Sequence, residues 1–200
     1  ARPNNLPIQL SNFIGREKEI LEINAFLQKS RLVTLLGPGG TGKTRLALQV
    51  SAELIDEFAN GVFIAELAPV TEPSMILQTL MSAVGAKEIK GQSQELTLSE
   101  YLKEKEMLVI MDNCEHLLNE CSKSAEMLLS KCGKLKIIAT SREVLNCSGE
   151  ISCRVPPLSH PDPNSNESIE MITKYESVRL FIERALVIKQ DFRVTNENAS

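Results

Sequence analysis

Residues 37–44, Gly-Pro-Gly-Gly-Thr-Gly-Lys-Thr, restrict this chain more than any other stretch. They satisfy the pattern G-x-x-x-x-G-K-[ST], which requires a strand before it and a helix after it. Both flanks agree: residues 31–36 (RLVTLL) read as a strand, and residues 45–58 as a helix with Ala47, Val50, Leu54 and Phe58 at helical spacing. Glycines at 37, 39, 40 and 42 let successive backbone N–H groups turn towards a polyphosphate at the positive end of that helix. In such a loop Lys43 reaches the β- and γ-phosphates and the Thr44 hydroxyl holds Mg²⁺. Gly37, Pro38, Gly39, Gly40, Thr41, Gly42 and Arg45 are the remaining expected phosphate-side contacts.

The 200 residues, 42% of them hydrophobic, suffice for one domain and part of another. A formal net charge of -4 leaves no broad basic face, so this segment is not expected to bind nucleic acid directly. No apolar run approaches the roughly 18 residues of a membrane span. The first ten residues lack a signal peptide's apolar centre, and the chain starts on Ala, as an excised or processed piece would. A cytoplasmic location without membrane contact is expected. Cys114, Cys121, Cys132, Cys147 and Cys153 form no C-x-x-C pair and read as reduced thiols rather than a zinc site.

Along the chain, residues 1–12 read as an extended lead-in, followed by Phe13-Ile14-Gly15-Arg16-Glu17 and a helix with Ile20, Ile23 and Leu27 on one face. Arg16 is either a cation within reach of a nucleotide or a solvated helix-start arginine. Residues 62–67 read as a second strand, and a helix from Thr71 to Gly85 carries Pro73 in its first turn. Thr97 and Glu100 form a capping-box pattern opening a short helix. Residues 107–111 are a continuous apolar run suited to a strand buried on both faces. Asp112 then emerges at the strand's carboxyl end, where open α/β sheets bind ligands, as a second Mg²⁺ partner. Residues 113–116 are expected to open a helix. Glu115 either orients a water or is a helix-start acid favoured by the macrodipole, and His116 reads as structural. Residues 135–139 form a fourth strand that delivers Thr140, Ser141 and Arg142 to the same edge, where an arginine stabilises charge on a γ-phosphate. Residues 151–155 are a fifth strand. The expected domains are therefore a nucleotide-binding domain over 13–158, a Pro/Asn/Ser-rich linker over 159–170, and the beginning of a helical domain over 171–200 with Val178, Phe181, Ile182, Ala185 and Leu186 on one face.

Phe13-Ile14-Gly15-Arg16-Glu17, residues 37–47, Asp112-Asn113-Cys114-Glu115-His116, Ala139-Thr140-Ser141-Arg142-Glu143 and Ser177-Val178-Arg179-Leu180-Phe181, in that order, resemble the ATPase core of bacterial LuxR- and AfsR-type multidomain regulators. These belong to the signal-transduction ATPases with numerous domains (STAND). The resemblance implies an α/β P-loop fold: a five-stranded parallel sheet in the order 5-1-4-3-2, flanked by helices, with Arg142 and Asp112 on opposite sides of the Lys43 loop. It implies base-side contacts from Ile14, Gly15 and Arg16, and matches Arg142 to the family's sensor of the terminal phosphate. Asn113 stands where many relatives carry a second acid, so Lys43, Asp112, Glu115 and Arg142 are expected to support only slow Mg-dependent ATP hydrolysis. The resemblance also implies winged-helix, repeat-sensor and output domains outside this chain, and an ATP-dependent homo-oligomer. The expected function is an ATP/ADP-binding regulatory switch; the alternative is a P-loop small-molecule or nucleotide kinase.

Overall fold

The computed structural model describes residues 2–9, 11–162 and 167–195. Residues 1 and 10 of the expected lead-in, four residues of the expected linker and residues 196–200 of the expected helical domain lie outside the described residues. The chain divides into two compact units, one of residues 1–9 and 18–155, the other of residues 10–17 and 156–200.

In the first unit, β1 (Leu32–Leu36), β2 (Val62–Glu66), β3 (Met107–Asp112), β4 (Leu135–Ser141) and β5 (Glu150–Arg154) form one parallel sheet in the order β2-β3-β4-β1-β5. The order is the expected one. β3 is buried along its whole length and β4 at every position but Lys136, as central parallel strands covered on both faces must be. By the two-residue period, Val109, Met111, Ile137 and Ala139 share one face. They cluster there with Leu80, Leu98, Leu102, Cys121 and Leu128 from α3 (Ile76–Val84), α4 (Gln94–Leu102) and α5 (Leu118–Lys131). Leu108, Ile110 and Ile138 point the other way, towards the side on which α2 (Lys43–Glu53) packs with Leu46, Ala47 and Val50 buried. Ile23 and Leu27 bury one face of α1 (Glu17–Lys29).

Several expected boundaries shift for local reasons. α2 begins at Lys43, because Gly42 takes a left-handed conformation (φ 86°) at its N-cap, and ends at Glu53 rather than Phe58. A 3-10 turn, Ile55–Glu57, tightens the exit so that Leu54 and Phe58 are both buried. The helix expected from Thr71 starts as a 3-10 turn, Pro73–Met75, before α3. The capping box at Thr97 does not form: α4 starts three residues earlier, its cap is Ser93, whose hydroxyl accepts from Leu96 N, and Thr97 is a buried interior position. Asn113 adopts a left-handed conformation (φ 69°), so residues 114–116 make a separate 3-10 turn and α5 follows only at Leu118.

The lead-in runs along the edge of β2. Asn4 bridges to Val62 in parallel, Val62 N donates to Pro3 O at 3.1 Å, and the Asn5 amide closes a reciprocal pair with Ile64, accepting from its N–H at 2.7 Å and donating to its carbonyl at 2.9 Å. A side-chain amide thus continues the ladder and covers an edge that would otherwise invite pairing with another chain. Asn5→Ala is expected to lower unfolding free energy by about 1–2 kcal/mol in a denaturant titration and to increase concentration-dependent association in analytical ultracentrifugation.

Candidate functional site

The glycine-rich loop leaves β1 wedged between the ends of its two neighbours. Gly37 N donates to Ser141 O of β4 at 3.3 Å, and Val155 N donates to Leu36 O at 2.7 Å. Within the loop the Thr41 hydroxyl donates to Pro38 O at 3.0 Å. Lys43, only 8% exposed, directs its ammonium back into the loop, donating to Gly37 O at 2.8 Å and Pro38 O at 3.1 Å. An ammonium has three N–H donors, so one remains for an anion in the cradle.

Next to the loop, three elements meet at one oxygen. The Thr44 hydroxyl of α2 donates to Asp112 Oδ1 at 2.7 Å, and the Thr140 hydroxyl of β4 donates to the same atom at 2.6 Å. Thr140 in turn accepts from Asn113 N at 2.9 Å, which holds the turn after β3. Among the described residues no group of three or more His, Cys, Asp or Glu side chains is placed to hold a metal unaided. A hydroxyl and a carboxylate in contact suit Mg²⁺, an ion that takes few protein oxygens and completes its shell with phosphate oxygens and water.

Glu115 and Arg142 meet as well: Arg142 Nε lies 3.3 Å from Glu115 Oε1. A Cβ built on Gly39 would sit 3.4 Å from Arg142 Nη2, so the same guanidinium also borders the phosphate loop. Arg142 and Asp112 therefore do not stand on opposite sides of the loop. β4 lies between β1 and β3, so both residues approach from one flank, Arg142 near Gly39 and Asp112 at Thr44. A cavity of about 450 Å³ lies beside the pair, lined by Ala68, Asn113, Glu115, His116, Arg142 and Glu143. His116 spends its Nε2–H on Val70 O at 2.9 Å, a structural use. Arg45 follows Thr44 in the first turn of α2.

In the second unit, half-buried Ile14 precedes a left-handed turn at Gly15 (φ 74°) and Arg16 (φ 64°). Arg16 is 4% exposed, not solvated, and its Nη2 donates to Pro156 O at 2.8 Å. The turn closes on Glu176, the first residue of α7 (Glu176–Ile188): Oε1 accepts from Arg16 N at 2.8 Å and Oε2 from Ser159 N at 3.0 Å, while Glu176 N donates to Ser159 Oγ at 3.0 Å. A Cβ on Gly15 would collide with this carboxylate, which explains the glycine independently of any ligand. A short helix, α6 (Ile169–Ile172), precedes α7, and Phe181, Val187 and Ile188 of α7 are exposed.

Sequence reasoning missed Thr140 and Glu176. The parallel register of β3 with β4 pairs Met111 with Ala139, and so sets Thr140 beside Asp112. Nothing local connects Glu176 to Arg16, 160 positions away. The five cysteines are free and buried. The hydrogen bond that the Cys114 thiol gives to Cys121, together with burial, pushes that thiol well up, and burial pushes Cys153 up to about 11, so these thiols stay protonated.

Residues 8–148 match the model of the family described as novel STAND NTPase 1. The chain is 36% identical over 190 residues to an uncharacterised protein of Mycobacterium tuberculosis, covering 95% of this chain and 45% of that protein. It is 39% identical over 178 residues to a provisionally named HTH-type transcriptional regulator of the same species, covering 89% of this chain and 18% of that protein. The chain thus spans less than half the length of these curated relatives. Among solved structures, a Walker-type ATPase of Pyrococcus abyssi superposes with a TM-score of 0.57 at 16% identity, over 98% of this chain and 64% of that one, which marks a shared fold.

The Glu176 clasp carries a pH signature. Partial burial alone would raise this carboxyl, but the N–H groups of Ser159 and Arg16, the Ser159 hydroxyl and the Arg16 charge outweigh it and hold the pKa below its usual 4.5. A lowered folded-state pKa contributes stability that is present above the unfolded value and lost as pH falls through the folded one. Below pH 4.5, wild type is therefore expected to lose thermal stability more steeply than Glu176→Gln, measured by calorimetric melts across an acid series.

Proposed function

The chain belongs to the novel STAND NTPase 1 family, and on that premise we propose that it is an ATP/ADP-dependent regulatory switch with slow Mg-dependent hydrolysis. The observation that carries this reading is the contact of Thr44 with Asp112 beside the Lys43 loop, a metal seat and a phosphate cradle built next to each other. Loop amides from Gly37 to Thr44, with Arg45 in the following turn, hold the polyphosphate, and Lys43 supplies a buried positive charge to it. Thr44 and Asp112 would hold Mg²⁺, which supplies neutralisation of phosphate charge. Arg142, bordering the loop at Gly39, is the group assigned to the terminal phosphate. Ile14, Gly15 and Arg16 are assigned to the base side by family resemblance.

Slow turnover follows from Asn113, an amide where a base would otherwise stand. The switch reading is that diphosphate and triphosphate favour different arrangements of neighbouring domains. The regulator named among the relatives supports placing this module in a LuxR- or AfsR-type transcription regulator, with winged-helix, repeat-sensor and output domains elsewhere in the polypeptide. The exposed apolar residues of α7 support a helical domain that begins there and continues. Among the described residues no helix is long and apolar enough to cross a membrane, in keeping with the cytoplasmic location we propose. ATP-dependent homo-oligomerisation belongs to the same reading.

Calorimetric titration with Mg-ADP and Mg-ATP is expected to give saturable binding to wild type and at least about tenfold weaker binding to Lys43→Ala, the loss of one charge-assisted phosphate contact. Asp112→Asn is expected to abolish the difference between titrations with Mg²⁺ and with EDTA. Equal affinities for wild type and Lys43→Ala would sink the proposal.

A further inference from the structure

The guanidinium of Arg142 has two neighbours, and they make opposite demands on it. Its Nε faces the Glu115 carboxylate at 3.3 Å, and its Nη2 borders the phosphate loop at Gly39. The carboxylate side of this pair is incompletely satisfied: Glu115 Oε2 is buried and has no hydrogen-bond partner among the described residues. The ion pair is a single contact rather than the two-pronged fork that arginine and carboxylate form when they lock together. The Arg142 side chain is 64% exposed and that of Glu115 17%, so the arginine is the mobile partner and the glutamate the fixed one. A half-exposed pair of this kind is weak and readily exchanged for a better anion.

We propose that Glu115 sets the discrimination between nucleoside triphosphate and diphosphate, by competing with the terminal phosphate for Arg142. The inference rests on the nucleotide-binding reading of the loop. With a diphosphate in the cradle, Arg142 keeps Glu115 as its partner. A γ-phosphate offers two or more charged oxygens to the guanidinium and draws it off the carboxylate. Triphosphate binding then bears the cost of breaking the pair, and diphosphate binding does not. Release also frees Glu115 Oε1 beside the cavity that Glu115 lines with Asn113 and Glu143, where a water can take the place of the guanidinium. Glu115 thus becomes available for water only after the triphosphate has been sensed.

The test measures dissociation constants for Mg-ADP and for Mg²⁺ with a non-hydrolysable ATP analogue, by calorimetry. The proteins are wild type, Glu115→Gln, Glu115→Asp, Arg142→Gln and the Glu115→Gln/Arg142→Gln double variant, each checked for cooperative melting. Glu115→Gln is expected to tighten the triphosphate analogue by about two- to fivefold and leave ADP unchanged. Glu115→Asp, too short to reach Nε, should act in the same direction. Arg142→Gln should weaken the analogue selectively, and Glu115→Gln should add nothing in that background. If Glu115→Gln and Glu115→Asp leave the ratio of the two constants unchanged while only hydrolysis slows, Glu115 acts on water alone and the inference is overturned. If wild type binds neither nucleotide, the nucleotide-binding reading falls first and takes this inference with it.

Discussion

Asp112 Oδ1 receives two hydroxyl protons, from Thr44 and from Thr140, and the geometry of the phosphate side depends on that arrangement. The aspartate ends β3, Thr140 lies near the end of β4, and Thr44 sits in the first turn of α2. A buried carboxylate is stable only when it is hydrogen-bonded, so the three elements must keep their register for the charge to be tolerated. The register itself comes from the sheet: with β4 inserted between β1 and β3, the strand that carries Thr140 is placed between the loop and Asp112. Close-packed Val109, Met111, Ile137 and Ala139 on one face, and Leu108, Ile110 and Ile138 on the other, hold those strands without slippage.

The same flank of the sheet carries the Arg142–Glu115 pair. Arg142 follows β4 directly, and Glu115 lies in the 3-10 turn after β3, two residues past the left-handed Asn113. The left-handed Asn113 interrupts what would otherwise be a continuous helix start, and its N–H is tied to Thr140. The turn that presents Glu115 is therefore anchored, through Thr140, to the carboxylate of Asp112. In the second unit Glu176 does for the Gly15–Arg16 turn what Asp112 does for the loop: one carboxylate collects donors from segments far apart in sequence, N–H groups at Glu176 and hydroxyls at Asp112.

Much of this was legible beforehand because the informative signals were local. The loop pattern, the apolar run ending at Asp112 and the arginine after the fourth strand each announce themselves within a few residues. Strand order was reachable only through family resemblance, since nothing in residues 135–139 says that their strand inserts between two others. Helix ends were misjudged where a tighter turn competed with the helix, as at Leu54 and Phe58, or where a better cap stood a few residues upstream, as Ser93 does relative to Thr97. Thr140 and Glu176 went unrecognised because their importance lies wholly in contacts between distant segments.

The account's central claim is that the Thr44–Asp112 contact is a metal seat facing a nucleotide held by the Lys43 loop. The most direct measurement is a crystal structure of this chain with ADP and Mn²⁺ in place of Mg²⁺, its metal located by anomalous scattering. The account predicts a peak coordinated by Thr44 Oγ1 and a β-phosphate oxygen, with Asp112 ligating directly or through water, and Lys43 Nζ moved from the Gly37 and Pro38 carbonyls to the β-phosphate. A nucleotide bound elsewhere, or a metal that leaves the Thr44–Asp112 hydrogen bond untouched, would contradict it.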